Sequence, residues 1–276
     1  MDPPTYESIG EGYPRHRQAD PRIVRELARL LGQPKGGEIL DVGAGTGNYV
    51  AALARLGYRM IAVEPAAAMR RQAREAPGVR WVVAPAEWLP LTDGCADGAV
   101  CVLALHHFAD ARAALAEVRR VVGGGPIVIF TFDPRLGQRF WFEDYFSELW
   151  SEAHRSFPPL EDVVSLIGEA TGGGSVEVSD FRLPHDLRDK FAAAGWRRPW
   201  LYLDGEVRAS ISAFALAEQQ VVEEGIQRLR RDLRSGVWHA RYHPVLTLED
   251  FDAGYRFLKV LPAAWTGFGV APPGAL

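Results

Sequence analysis

The chain has 276 residues and a formal net charge of −4, with 47% hydrophobic and 24% charged residues. These proportions are typical of a globular protein, and the slight acidity argues against a broad basic surface for nucleic acid. No apolar run approaches the roughly 18 residues of a membrane span, and the start lacks the pattern of a secretory signal, so we expect a cytoplasmic protein.

The first 35 residues have the pattern of an arm followed by a helix. Asp20 and Pro21 form a favourable helix start. Apolar residues then recur at helical spacing until Gly32, which is expected to end the helix.

Three glycines at alternate positions mark the next motif. An apolar run is followed by Gly43, Gly45 and Gly47, and then by a helix-like segment. Strand, glycine turn and helix form a nucleotide-binding crossover, in which residues without Cβ let a ligand lie against the backbone. The spacing is G-x-G-x-G and not the G-x-G-x-x-G/A of dinucleotide sites, which argues against a pyrophosphate-binding loop. A glycine-rich turn without a ligand is the alternative.

A carboxylate follows at the end of the next apolar run. Glu64 lies about twenty residues after the glycine turn, where nucleotide-type folds place an acid that binds the ribose hydroxyls. Pro65 suits the first turn of a helix. An isolated Glu at a strand end is more often a solvated cap, so this interpretation depends on the glycine turn before it.

Asp41, the glycine spacing and Glu64 together resemble the class I S-adenosylmethionine-dependent methyltransferases. The resemblance is to the small-molecule "type 11" group related to the ubiquinone and menaquinone biosynthesis enzymes. It implies S-adenosyl-L-methionine as the cofactor and S-adenosyl-L-homocysteine as its product. The residues that it implies for cofactor binding around the first strands are Asp41, Gly43, Ala44, Gly45, Gly47, Glu64, Pro65 and Leu103.

The same resemblance implies two further parts of the cofactor site. Tyr13 and Arg17 look like residues of an arm that closes over the cofactor, with Arg17 pairing with the cofactor's carboxylate. A solvent-facing arginine is the alternative. Residues 84–91 resemble the family's adenine-binding segment, which implies roles for the backbone of Ala86 and the side chain of Glu87.

Two histidines follow the fourth predicted strand. In open α/β sheets, ligands bind outside the carboxyl ends of the strands, so His106 and His107 are expected at the methyl acceptor. A neutral imidazole can take a proton from the acceptor, which makes both residues candidates for catalysis. The alternative is a structural histidine bonded to a loop carbonyl. A zinc site is less favoured than either role, and no metal site is predicted.

Short apolar runs alternate with amphipathic segments throughout residues 38–132. This is the pattern of a parallel sheet covered by helices on both faces. We predict strands at 38–42, 60–64, 80–83, 98–103 and 126–132. We predict helices at 48–56, 66–76 and 109–121.

Six aromatic residues lie between positions 140 and 150. As a helix this stretch would carry an aromatic stripe, which is either core packing or one wall of an aromatic acceptor pocket. Together with aromatic residues near position 200 and the two histidines, it gives a set of candidate pocket residues: His106, His107, Phe140, Trp141, Tyr145, Trp200 and Tyr202.

The second half of the chain is predicted to complete the sheet and to cover it. We expect a helix at 159–170, a strand at 175–184, a long helix at 205–234 and an edge strand at 254–260. The overall prediction is an α/β fold, with a Rossmann-like, doubly wound, mostly parallel seven-stranded sheet, an antiparallel edge strand and a mostly helical cap. The predicted parts are an arm and helix at 1–35, a cofactor-binding core at 36–184 and 251–265, and a cap at 185–250.

The resulting functional hypothesis is methyl transfer by direct displacement to an O, N or C atom of a small aromatic or heteroaromatic metabolite. The expected partner is this small molecule, with no nucleic acid and no membrane span, and a homodimer is compatible with the pattern. Two alternatives stay open, a catalytically silent cofactor-binding or regulatory protein and, less favoured by the glycine spacing, a nicotinamide-dependent oxidoreductase.

Overall fold

The computed structural model describes residues 16–32, 34–73 and 75–261. Helix α1 opens this part of the chain, with Asp20 as its N-cap, Pro21 at its first position and Gly32 in the left-handed conformation at its end. The elements up to the fifth strand are α1 (Pro21–Leu31), β1 (Glu38–Val42), α2 (Asn48–Arg55), β2 (Arg59–Val63), α3 (Ala67–Arg71), β3 (Val79–Val82), β4 (Gly98–Val102), a 3₁₀ turn (Leu105–His107), α4 (Ala111–Val122) and β5 (Ile127–Phe132).

Most of the helices follow the fifth strand. The remaining elements are α5 (Phe142–Tyr145), α6 (Ser147–Ser156), α7 (Leu160–Ala170), β6 (Ser175–Asp180), β7 (Leu183–Pro184), a 3₁₀ turn (Pro199–Leu203), α8 (Gly205–Ala209), α9 (Ser212–Ala215), α10 (Gln219–Ser235), α11 (Val237–Tyr242), a 3₁₀ turn (His243–Thr247), β8 (Asp250–Phe251) and β9 (Tyr255–Leu261). None of the helices in the described ranges is both long and apolar enough to cross a membrane.

Within the described residues, the main sheet has seven strands in the order β3-β2-β1-β4-β5-β9-β6. The strands from β3 to β5 pair in parallel, and β9 is antiparallel to both β5 and β6. The predicted mostly parallel, doubly wound sheet is therefore confirmed. The prediction that the antiparallel strand forms the edge is wrong, because β9 lies between β5 and β6 and β6 forms that edge.

Two apolar layers cover the sheet. One layer packs α4 and α7 against one face. The other packs α1 and α2 against the opposite face and continues without a break into the aromatic residues of α5, α6 and the helices after β7. Residues 134–157 and 185–250 therefore build one covering layer. This layer is larger than the cap predicted at 185–250, and from here on the word cap refers to the whole layer. The predicted division into arm, core and cap is not tested by this packing and stays a prediction.

Three of the predicted elements differ from those observed. The helix predicted at 205–234 is three helices, because Ile211 and Glu218 have extended backbones and Asp204 caps only the short α8. The helix predicted at 66–76 ends at Arg71. The strand predicted at 175–184 breaks after Asp180, and its last two residues pair with β8 in a separate two-stranded sheet.

Candidate functional site

The glycine turn leaves the carboxyl end of β1 and enters α2. The backbone amides of Gly43 and Ala44 donate to the carbonyl oxygen of Val63, at 3.0 and 2.9 Å, so the turn is fastened to the end of β2. Gly43, Gly45 and Gly47 all have positive φ, from 56° to 76°, which favours glycine at each position.

The three glycines differ in what surrounds them. A Cβ at Gly43 would lie 2.5 Å from the Cβ of Ala104, and one at Gly47 would lie 2.8 Å from the ring of Trp81. A Cβ at Gly45 would meet no protein atom within 4 Å. The sequence predicts that all three make room for a ligand. In the structure only Gly45 of the three has open space at its Cβ position, while the missing side chains of Gly43 and Gly47 allow Ala104 and the ring of Trp81 to pack closely.

Glu64 stands beside this turn at the end of β2. Its carboxylate oxygens accept from the backbone amides of Gly45 and Ala66, both at 2.9 Å. These bonds fix the carboxylate in the wall of the site. Each carboxylate oxygen has two lone pairs, so Glu64 retains acceptor capacity for the hydroxyl groups of a ligand.

A second carboxylate lies behind the first. Asp41 is 2% exposed, and its Oδ1 has no hydrogen-bond partner among the described residues. Burial, and then the nearby charge of Glu64, raise the pKa of Asp41 to about 7. Asp41 does not line the cavity described next, so the structure does not place this predicted residue in ligand contact.

A cavity of about 860 Å³ opens along the carboxyl ends of β1, β2 and β4. This volume is within the range of roughly 300–1,000 Å³ that is usual for small-molecule sites. Nine of the residues predicted from the sequence line it: Arg17, Gly43, Ala44, Gly45, Glu64, Pro65, Leu103, His106 and His107. Leu103, directly after β4, has a φ of 51°, the only positive value for a non-glycine residue in the described ranges.

The two histidines lie side by side in the cavity wall. Their ring centroids are 3.7 Å apart, and the ring of Phe157 lies 3.9 Å from that of His106. Burial, and then His107, lower the pKa of His106 well below its usual value. Desolvation by the surrounding cavity wall, and then the charge of Arg17, lower the pKa of His107 to about 4, although the residue keeps some exposed surface. Both imidazoles are therefore neutral near pH 7 and are weak bases.

Arg17 borders the cavity on the side of the α1 helix. Its Nε donates to Asp189 Oδ1 at 2.6 Å, and its Nη2 lies 3.5 Å from Asp189 Oδ2. Its side chain is 14% exposed, so it is not the solvent-facing arginine of the alternative interpretation. Tyr13, the other predicted arm residue, lies outside the described residues.

The adenine segment predicted from the sequence is not at the cavity. Ala86 is buried in the layer that contains α4, and the Glu87 carboxylate accepts from the backbone amide of Asp110 at 3.1 Å. The wall next to Glu64 is formed by the start of α3, where Pro65, Ala66 and Met69 line the cavity.

Four of the five predicted aromatic pocket residues lie in the interior of the cap, and the fifth, Trp200, is exposed. Trp141 and Tyr202 are 1% exposed, and their polar atoms bond to the carbonyl oxygens of Trp196 and Ala192. Tyr145 bonds to Asp232. Phe140 packs on Phe251, among other aromatic rings, and Trp200 is 54% exposed. None of these five side chains lines the cavity, so the prediction that they line the pocket is wrong. The aromatic stretch is divided between two helices at Phe146, and its members at the cavity are Phe142 and Trp150.

Other parts of the cap form the far wall of the cavity, and sequence reasoning missed them. Phe142 of α5, helix α6 and the segment from α9 to the first turn of α10 supply a mostly apolar surface, rimmed by charged side chains of α6. The apolar members of this surface are Phe142, Leu149, Trp150, Ala153, Phe157, Ile211, Ala213, Leu216, Ala217 and Val221. Asp189 and Phe191 were also missed. No short motif marks any of these residues, because they reach the cavity only through the fold of the cap.

Comparison with known proteins adds to this geometry. The family model described as "Methyltransferase domain" matches residues 40–130. A crystal structure from Anabaena variabilis, described as a candidate methyltransferase from an antibiotic biosynthesis pathway, is 48% identical, with a TM-score of 0.87, and the match covers 89% of this chain and 98% of that one.

Two curated relatives agree with that likeness. An uncharacterized methyltransferase of Mycobacterium tuberculosis strain H37Rv is 30% identical, and the match covers 68% of this chain and 77% of the relative. An O-methyltransferase of Penicillium expansum is 34% identical, and the match covers 58% of this chain and 60% of the relative.

Proposed function

Because the chain belongs to the S-adenosylmethionine-dependent methyltransferases, we propose that it methylates a small aromatic or heteroaromatic metabolite held between the glycine turn and the cap. Its cofactor is S-adenosyl-L-methionine. Family membership also removes the two alternatives that the sequence left open, a silent binding protein and a nicotinamide-dependent oxidoreductase. The observation that carries the proposal is the single cavity that joins the cofactor-binding wall to an apolar cap wall.

The cofactor end of the cavity is assigned from the residues that line it. Gly45 offers bare backbone with open space above it, which suits the sugar and methionine portions of the cofactor. Glu64 is assigned to the ribose hydroxyls, since a carboxylate fixed by two backbone amides can accept from both. Arg17 is assigned to the cofactor's carboxylate.

The acceptor end is assigned from its chemistry. Apolar side chains of α6 and of the segment around α9 line the same cavity as the two histidines, and Phe157 packs against the ring of His106. Such a wall favours a flat or aromatic acceptor, since pockets of this kind bind mainly through apolar contact and use a few polar groups for orientation. The antibiotic-pathway description of the Anabaena protein supports a secondary metabolite as the acceptor.

The proposed reaction is direct displacement. The acceptor's O, N or C atom would form a bond to the methyl carbon of S-adenosyl-L-methionine, the carbon–sulfur bond would break, and S-adenosyl-L-homocysteine would leave. The acceptor's proton would be released to solvent with the products. The protein aligns the acceptor atom and excludes water, effects that can contribute about 7–11 kcal/mol. His106 and His107 are assigned to orienting the acceptor through neutral ring nitrogens. Full proton transfer to His107 is a weaker assignment, because a base with a pKa of about 4 provides little driving force for taking a proton.

A methyl-transfer assay with a panel of acceptors tests this proposal. The panel should contain phenols, aromatic amines and heterocycles with nucleophilic carbon. Phenols are tested first, because the Penicillium relative is an O-methyltransferase. Aliphatic alcohols and amines of similar size serve as controls. Turnover of aliphatic acceptors only would contradict the aromatic assignment.

The pH dependence of turnover tests the role of the histidine. Since His107 is neutral above about pH 4 to 5, kcat/KM should show no acid limb near pH 6.5. An acid limb at that pH that disappears in His107→Gln would show that His107 acts as an ordinary general base.

A further inference from the structure

Asp189 lines the cavity and bonds to residues from two other parts of the chain. It belongs to the cap segment between β7 and the 3₁₀ turn at Pro199–Leu203, and it is 1% exposed. It accepts from Arg17, which precedes α1, and from the hydroxyl of Tyr49 in the first turn of α2, at 2.8 Å. Arg17, Tyr49 and Asp189 all line the cavity.

The contact between Asp189 and Arg17 fixes the plane of the guanidinium. The carboxylate takes the side formed by Nε and Nη2. A guanidinium has five N–H donors in a rigid fork, so an anchor on one side sets the direction of the others. The hydroxyl of Tyr49 donates to Asp189 Oδ2 and in turn fixes the carboxylate.

Neighbouring contacts show that the whole cap segment is bound to the start of the α1 region. The backbone amide of Arg188 donates to Asp20 Oδ2 at 2.9 Å, and that of Lys190 donates to the carbonyl oxygen of His16 at 3.1 Å. The Arg17 carbonyl oxygen also accepts from the side chain of Asn48, which follows the glycine turn. Arg17 is thus held both by the cap and by the residue that follows the glycine turn.

We propose that Asp189 is a positioning residue that aims Arg17 at the carboxylate of the bound cofactor, and so makes cofactor affinity depend on the cap. The inference rests on the proposed role of Arg17. Asp189 itself need not touch the cofactor. A buried arginine that loses its charged partner no longer has a fixed direction, so the contact with the cofactor's carboxylate should weaken.

The test compares two ligands that differ at the amino-acid end. S-adenosyl-L-homocysteine carries the carboxylate, and 5′-methylthioadenosine retains the adenosine and sulfur but has no amino-acid group. Calorimetry on Asp189→Asn should show about tenfold weaker binding of S-adenosyl-L-homocysteine and binding of 5′-methylthioadenosine unchanged within about twofold. Equal losses for both ligands would show a merely structural role, and no loss or tighter binding of S-adenosyl-L-homocysteine would also overturn the proposal.

Asp186→Asn is the matched control. Asp186 lies three residues earlier in the same segment and pairs with Arg22 at 2.6 Å, but it does not line the cavity. The same substitution there should leave the affinity for both ligands unchanged within about twofold. If Asp189→Asn does not fold, Asp189→Glu, which keeps the charge and displaces the carboxylate, should show the same selective loss.

Arg17→Met separates this inference from the function on which it rests. If Arg17→Met does not weaken S-adenosyl-L-homocysteine relative to 5′-methylthioadenosine, the assignment of Arg17 to the carboxylate is wrong. If Arg17→Met is selective and Asp189→Asn is not, only the role of Asp189 is wrong. When both are selective, the double variant should lose no more than Arg17→Met alone, because the two residues act through one contact.

Discussion

The two walls of the cavity are built in different ways. The centre of the cofactor wall is backbone and one fixed carboxylate, since Gly43 and Ala44 are bonded to Val63 and the Glu64 side chain is bonded to two amides. The cap wall consists of side chains from α6 and from the residues around α9, held by an aromatic interior. Substitutions do not remove backbone groups, so a wall of backbone suits a cofactor that is the same in every member of a family. A wall of side chains can be altered one residue at a time to fit a different acceptor.

The largest expected effect tests whether the aromatic interior of the cap is structural. Trp141→Ala should lower the free energy of unfolding by about 3–5 kcal/mol, because Trp141 is fully buried and its Nε1 bonds to Trp196. Denaturant unfolding measures this loss. Trp200→Ala, at an exposed aromatic residue of the same region, should change stability by no more than about 0.5 kcal/mol. If stability is unchanged and the KM for the acceptor rises, Trp141 lines the acceptor pocket as the sequence predicts.

The next effect concerns the bare backbone of the cofactor wall. Gly45→Val should weaken S-adenosyl-L-homocysteine by at least about 100-fold, or roughly 2.7 kcal/mol, because the added side chain fills the open space of the cavity. Calorimetry measures the affinity. Gly36→Val is the matched control, since Gly36 also has positive φ and no atom near its Cβ position but does not line the cavity. Equal loss of affinity in both variants would mean that backbone strain, and not occupied space, is the cause.

A smaller effect separates two carboxylates that the sequence places in the cofactor site. Glu64→Ala should weaken the binding of S-adenosyl-L-homocysteine by about 1–3 kcal/mol, which is the scale for hydrogen bonds to a charged group. Glu87→Ala should leave the affinity unchanged, because Glu87 bonds to Asp110 and does not line the cavity. The comparison is made by calorimetry at one pH. A larger loss for Glu87 than for Glu64 would mean that the adenine segment binds as the sequence predicts.

A further prediction concerns Asp41, the buried carboxylate behind the cofactor wall. Its pKa is raised in the folded protein to about 7, so the folded state holds a proton that the unfolded state has released. The bound proton adds to the free energy of unfolding. This contribution is fully present below about pH 4, the pKa of Asp41 in the unfolded chain, and it is lost as the pH rises through about 7. The free energy of unfolding of Asp41→Asn, measured relative to that of the wild type, should therefore increase by on the order of 1–3 kcal/mol between pH 5 and pH 8. Denaturant unfolding at several pH values measures the difference, and parallel curves would contradict the raised pKa.

The cofactor wall could be predicted from the sequence because it is local. The glycine spacing, the strand before it and the position of Glu64 depend on a short stretch of chain with regular periodicity. Even there the sequence could not distinguish Gly45, which has open space at its Cβ position, from Gly47, which faces Trp81, because that difference depends on a neighbouring strand. The position of Ala86 was missed for the same reason.

The cap wall could not be predicted because its residues come together only in the tertiary structure. The aromatic stretch changes direction at Phe146, and the segment predicted as one helix contains extended residues at Ile211 and Glu218. Asp189 has no sequence signal of its own, since its partners Arg17 and Tyr49 lie more than 100 residues away. Side-chain periodicity indicated which residues are buried, but not whether they face the core or the cavity.

The place of β9 in the sheet has a consequence for how the polypeptide reaches its native state. Ile127 of β5 pairs with Val260, so the neighbour of an early strand is among the last described residues to leave the ribosome. Until then β5 and β6 present unsatisfied edges, which are templates for misassembly between nascent chains. Contacts this distant in sequence also slow folding. We therefore expect chains cut before Tyr255 to aggregate and not to form a smaller active enzyme.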